Sequence, residues 1–339
     1  MPPPVAPLWP PGFERIPSEP WAKAPVDPFA EGYDGVGRHG WYANLDPTVA
    51  ELAAALREGG ILVDYSGGTG LLEDRLLPAL GWRQVGVLVV DSSPKFLRLA
   101  AEKFRADARV AFRLLPFLPE ERRLRRVDEV VGLDLLRRGA DAVVSANAIH
   151  LYSDLEATLA SWVRILRPGG LVHVQSGNIG APSQGRWIID ETVERLQETA
   201  MAIVRSEPRY AAYRAVLDDP AAMAAHTALR HRYFLPVRPL DHYLRALRKA
   251  GLAVERFERR PVPVEVEEWA DFLSVYHDGV LGWLGGTERV EGRDPSPQAV
   301  AHRREVLREA LRRLIGGPRF TAEWTYVTAR REASPTPSP

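Results

Sequence analysis

An α/β architecture is expected from this chain: a seven-stranded, mostly parallel sheet with helices on both faces and helical lid insertions late in the sequence. Three features carry this reading. The apolar run Ile61-Leu62-Val63 ends in Asp64, and the turn Ser66-Gly67-Gly68-Thr69-Gly70 follows at once. A second apolar run, Val85 to Val90, ends in Asp91, with a helical segment from Leu71 to Leu77 in between. Further short apolar runs near 110–115, 141–146 and 171–176 alternate with helical segments, the pattern of strand–helix–strand units in a parallel sheet.

Residues 1–28 contain ten prolines, which exclude a regular helix and predict an arm along the surface, docked through Trp9, Phe13 and Trp21. The stretch 29–178 reads as the ligand-binding part. Within it, Asp46-Pro47-Thr48 supplies a cap and a proline at the first helical position, and Gly59-Gly60 ends that helix. The link from Arg113 to Arg138 is long; a helix is expected over 120–131, with Glu121-Arg122-Arg123 as its solvated face. After Asn178 the pattern changes. Residues 179–239 read as a helical insertion, with amphipathic segments over 187–204 and 219–230. Residues 240–331 return to the sheet, with a helix over 241–250 and a strand over 252–259. A second helical insertion covers about 265–317, and Phe320 to Ala329 is the last strand. The stretch 332–339 reads as a disordered tail.

Composition narrows the chemistry. With 45% hydrophobic residues the chain supports a substantial core, and its 44 basic and 44 acidic side chains cancel. General nucleic-acid affinity rests on phosphate neutralisation, so a balanced charge speaks against it. There is no cysteine, which removes disulfides, thiolate metal sites and cysteine nucleophiles. No apolar run reaches membrane-spanning length. The N-terminal residues lack a basic segment followed by an apolar core, and a cytoplasmic location is expected. No His-x-x-x-His with a nearby acid supports a helical zinc site, so no metal is expected; His226, His231, Tyr276 and His277 in the insertions read first as ordinary structure.

The turn carries the strongest chemical signal. Glycines let backbone approach a ligand, and the following helix offers free N–H groups. Asp91 lies 21 residues after Gly70, the spacing of an acid that accepts hydrogen bonds from a ribose diol. A dinucleotide fingerprint needs a third Gly or Ala for close helix–strand packing, and that position is Glu73.

Asp64-Tyr65-Ser66-Gly67-Gly68-Thr69-Gly70 resembles motif I of the class I S-adenosylmethionine-dependent methyltransferases, Asp-Leu-Gly-Cys-Gly-Thr-Gly, with Ser66 in place of the first glycine. Serine fits there if its φ is negative; otherwise the turn must adjust. Gly139 to His150 resembles the family's fourth strand and following loop, and Arg164 to Val174, with "LRPGG", the turn into the fifth strand. The similarity covers roughly 30–178 and resumes at 240–262. It implies a Rossmann-like fold whose last strand is antiparallel, and S-adenosyl-L-methionine as cofactor. The layout is similar to quinone-biosynthesis C-methyltransferases and natural-product methyltransferases.

On this resemblance the cofactor-binding candidates are Tyr33, Asp64, Ser66, Gly67, Gly68, Gly70, Asp91, Ser92, Asp134 and Asn147. Each has a plainer reading. Asp64 is otherwise a strand-end acid capping a turn, Asp91 a helix cap, Asp134 a surface acid, and Tyr33 a packing residue. His150 is the candidate base, since an unperturbed imidazole titrates near neutrality; the plainer reading is a histidine packed at a helix start. Tyr152 is a weaker candidate. The implied function is methyl transfer to an O, N or C nucleophile of a small-molecule acceptor. An NAD(P)-dependent oxidoreductase and a non-catalytic S-adenosylmethionine-binding scaffold are the alternatives, and homodimerisation stays open.

Overall fold

The structure, a computed structural model, describes residues 8–332. The first seven residues of the proline-rich arm and the tail from 333 lie outside the described residues. Among the described residues there are nine strands: β1 (Ile61–Tyr65), β2 (Gly86–Asp91), β3 (Val110–Leu114), β4 (Phe117–Leu118), β5 (Arg123–Leu124), β6 (Ala140–Ala146), β7 (Leu166–Ser176), β8 (Leu252–Glu265) and β9 (Arg319–Arg331). Seven of them form one sheet in the order β3-β2-β1-β6-β7-β9-β8, and β4 and β5 pair as a separate hairpin. Pairing is parallel from β3 through β7, and β9 runs antiparallel to both of its neighbours.

β1 and β2 are buried along their whole length, which is why they read as unbroken apolar runs rather than alternating ones. The period-two alternation of side chains still sorts them into two cores. Leu62, Val87 and Val89 join the core on one face. Ile61, Val63, Leu88 and Val90 join the core on the other.

After β3 the chain crosses to the far side of β1 to form β6. The order of strands therefore reverses between β1 and β6, and a crevice opens beyond their carboxyl ends, the ligand site of such sheets.

Two segments differ from expectation. Residues 120–131 form no helix; the chain turns through the β4–β5 hairpin and then a 3-10 turn, Val127–Glu129. Between Glu120 and Arg126 only Leu124 is apolar, so a helix there has no face to bury. The turn is closed by the Arg122 amide donating to Pro119 O and the Arg125 amide donating to Pro116 O at 2.8 Å. β8 runs on to Glu265, past Pro261 and Pro263. It is the edge strand, where a proline costs no ladder bond on the open side.

Both inserted blocks contribute to one helical layer. The helix Ile189–Ser206 packs on Pro297–Ile315, and Val266–Val275 packs on the latter. Two indoles bridge the blocks. Trp269 Nε1 donates to Thr192 Oγ1 at 3.1 Å, and Trp283 Nε1 donates to Gln197 Oε1 at 2.9 Å. The arm docks along the β3 edge: the Phe112 amide donates to Arg15 O at 2.8 Å, and Trp9 stacks on Phe13 at 5.0 Å. No helix among the described residues is long and apolar enough to cross a membrane.

Candidate functional site

The chain leaves β1 at Tyr65 and turns back over the end of the sheet. Ser66 adopts φ 65, a left-handed conformation that costs a serine about 1–2 kcal/mol relative to glycine. The turn therefore keeps the glycine-like geometry and the serine bears the strain. Its Oγ is 3.1 Å from the Tyr152 hydroxyl, which also reaches Ser145 Oγ at 2.7 Å and Tyr65 O at 3.2 Å. The Ser66 amide donates to Val90 O at 2.7 Å, tying the turn to β2.

Gly67 has no room for a side chain: a Cβ there would lie 2.5 Å from Asp64 Oδ2 and 2.7 Å from Val89 Cγ1. At Gly68 space is open, but φ is +60, and its amide donates to Asp91 Oδ2 at 2.8 Å. Asp91 Oδ1 accepts from the Ser93 amide at 2.7 Å. Burial pushes the Asp91 carboxyl above the usual range, and these backbone donors pull it back. Ser93, not Asp91 or Ser92, caps the next helix, accepting from the Phe96 amide.

Asp64 and Glu73 lie buried beneath the turn, and neither carboxyl has a donor among its neighbours. Burial, then the charge of Glu73, raises Asp64 well above its ordinary value. Burial raises Glu73 to about 7.

A cavity of about 590 Å³ opens over Gly68, Asp91 and Ser92. Beside it a smaller one of about 40 Å³ lies over Gly67 and is lined also by Tyr33, Tyr42, Asp64 and Asn147. One wall is aromatic. Tyr33 stacks on Phe96 with centroids 4.8 Å apart, and Tyr276 meets Tyr33 edge-on at 6.2 Å. Burial keeps both phenols neutral, Tyr276 well above its ordinary value. Asn147 follows β6 with φ 57, and its Oδ1 accepts from Trp324 Nε1 at 2.7 Å.

The structure thus gathers Tyr33, Ser66, Gly68, Asp91, Ser92 and Asn147 around the larger cavity, with Asp64 and Gly67 at its smaller neighbour. Three candidates fall outside both linings. Gly70 packs beside Phe104 and closes the turn, its amide donating to Gly67 O at 3.0 Å. Asp134 is exposed at the start of the helix Leu133–Arg138, 3.7 Å from Arg137. His150 is buried, its Nδ1 2.8 Å from Ser176 Oγ; burial and then Arg238 lower it to about 4. It is packed in a 3-10 turn and lies outside both cavities' linings.

Two parts of the lining were ranked otherwise from the sequence: Tyr276, in the second insertion, read first as ordinary structure, and the Arg-rich hairpin was expected to be a solvated helix face. Nothing local marks either one, because both reach the cavity through tertiary packing. Trp41 packs in the core between Trp269, Phe272 and Trp324. His226 pairs with Glu291 at 2.8 Å, and His231 lies 3.6 Å from Glu194.

Residues 63–172 match the family model described as a methyltransferase domain. This stretch of the chain is similar to methyltransferase domains. The matched stretch runs from β1 to β7 and so contains the turn, Asp91 and Asn147. The hybrid PKS-NRPS synthetase apdA of Emericella nidulans is 31% identical over 111 residues, covering 32% of this chain and 3% of that protein. The hybrid PKS-NRPS synthetase mpsA of Macrophomina phaseolina is 26% identical over 149 residues, covering 43% of this chain and 3% of that protein. The chain thus spans only a small part of the length of these curated relatives. Among solved structures, the YcgJ protein of Bacillus subtilis aligns at 13% identity with a TM-score of 0.48, covering 86% of this chain and 100% of that one.

Proposed function

We propose that this chain binds S-adenosylmethionine in the crevice at the ends of β1 and β2 and transfers its methyl group to an O, N or C nucleophile of a small-molecule acceptor. The observation that carries the reading is the Asp91 carboxylate, fixed to the glycine turn at one oxygen and to Ser93 at the other. Each oxygen spends one lone pair on backbone and keeps another for a ribose hydroxyl. Gly67 and Gly68 leave backbone bare where a ligand must come close. When bound, the sulfonium supplies an activated methyl group.

The protein's own share is alignment and exclusion of water. Tyr33 and Tyr276 offer aromatic surface, which favours a cation. Asn147 lines the cavity with its side chain held by Trp324, Gln175 and Asn44. The helical layer brings Tyr276 over the site. No base is assigned, because His150 lies outside the lining and is neutral.

A dinucleotide fits less well. The position where a dinucleotide fingerprint packs its third glycine or alanine is occupied by Glu73, buried beneath the turn. The test is transfer of a labelled methyl group from S-adenosylmethionine into a metabolite extract. Label in a small molecule supports the proposal. Cofactor binding without transfer supports the scaffold, and NAD(P)H binding the oxidoreductase.

A further inference from the structure

The β4–β5 hairpin forms one wall of the large cavity and presents Arg122, Arg123, Arg125 and Arg126 to it. Arg123 is neutralised, with Glu121 at 2.6 Å and Glu129 at 2.8 Å. The other three guanidiniums have no carboxylate within ion-pair distance among the described residues. The remaining acids of the lining are engaged elsewhere: Asp91 holds two backbone amides, and Asp154 accepts from the Ala157 amide at 3.1 Å.

Arg122 stands at the tip of the hairpin with φ 52. A left-handed backbone is disfavoured for a bulky side chain and is the usual place for glycine or asparagine. Residues kept in such conformations cluster at ligand clamps. Beside the arginines the same cavity exposes Leu124 and Leu151, large apolar side chains with no cover. The wall is therefore cationic and apolar at once.

We propose that this wall recognises the methyl acceptor, and that the acceptor carries a carboxylate or phosphate next to an apolar portion. The proposal rests on the methyl-transfer reading above. A planar guanidinium matches either anion through two parallel N–H donors, and several on one wall add charge that a neutral acceptor would waste. The leucines cover the apolar portion.

The experiment titrates octanoate, octyl phosphate and octanol, separately, into protein saturated with S-adenosylhomocysteine. It compares the natural chain with the Arg122→Ala/Arg125→Ala double variant, after the S-adenosylhomocysteine affinity of each has been measured. At least one anion should bind the natural chain, about tenfold or more weakly in the variant, and more weakly as salt is added. Which of the two binds identifies the head group. Octanol binding as well as the anions, or anions binding both proteins equally, would overturn the anion wall and leave methyl transfer standing. Failure of the natural chain to bind S-adenosylhomocysteine would instead overturn the function on which the wall rests.

Discussion

Asp91 Oδ2 accepts the Gly68 amide at 2.8 Å, so the acid that ends β2 fixes the turn that follows β1. One carboxylate thereby joins the ends of β1 and β2 beside the crevice. The bond explains how a turn with three left-handed residues, Ser66, Gly68 and Gly70, stays in one shape. Its donors also define what the acid has left to offer a ligand.

Gly67→Ala is expected to destabilise the fold by about 1–3 kcal/mol, the usual cost of forcing a methyl group into a filled space. The added Cβ would meet Asp64 Oδ2 and Val89 Cγ1, both on buried strands that cannot move aside. Urea denaturation of the variant checks this. An unchanged midpoint would mean that the turn relaxes freely.

Glu73 links stability to pH with a definite sign. Its folded value, about 7, is above the ordinary 4.5, so the folded chain holds a proton that the unfolded chain releases. Stability from this group is present at low pH and is lost as pH rises from about 4.5 to about 7, with a slope of at most about 1.4 kcal/mol per pH unit. His150 and His173, lowered to about 4, act in the opposite direction. The difference between the natural chain and Glu73→Gln isolates the acid. As pH rises through this range the natural chain's denaturation midpoint should fall relative to the variant's, and parallel curves would remove the raised Glu73 carboxyl.

His150→Asn is expected to cost stability rather than to reshape the pH profile of turnover. The imidazole is bonded to Ser176 Oγ in a buried setting, and loss of such a bond costs about 1–3 kcal/mol. Methyl transfer measured between pH 5 and 9 should keep the same profile in both proteins. A limb near pH 6.5 that disappears in the variant would restore His150 as a base.

Tyr276→Ala tests whether the second insertion belongs to the site. Its ring meets Tyr33, and an aromatic pair of this kind contributes about 0.5–1.5 kcal/mol beyond buried area. S-adenosylhomocysteine should bind several-fold more weakly, with the melting temperature reporting any loss of packing against Phe272 and Phe234 separately. Unaltered affinity would make Tyr276 a core residue only.

The sheet was readable from the sequence because its strands are buried on both faces and end in acids or glycines, signals contained within a few residues. The same local logic gave Asp91 and the glycine turn. It failed where position depends on distant packing. Asp134 sat in a plausible local context, but it faces solvent beside Arg137 and lines neither cavity. Tyr276 lies far along the chain from Tyr33 and reaches it only because the helical layer folds back over the crevice. His150 follows the right strand, yet its side chain turns inward to Ser176. The backbone carries the site's position, and side-chain direction decides membership.

Calorimetric titration of S-adenosylhomocysteine, and separately of NADPH, into the natural chain and Asp91→Ala addresses the central claim most directly. S-adenosylhomocysteine should bind the natural chain, and the variant should lose about 1.5–3 kcal/mol of that affinity through its charge-assisted hydrogen bonds. NADPH should not bind. Equal S-adenosylhomocysteine affinity in both proteins, or NADPH binding that displaces it, would refute the account.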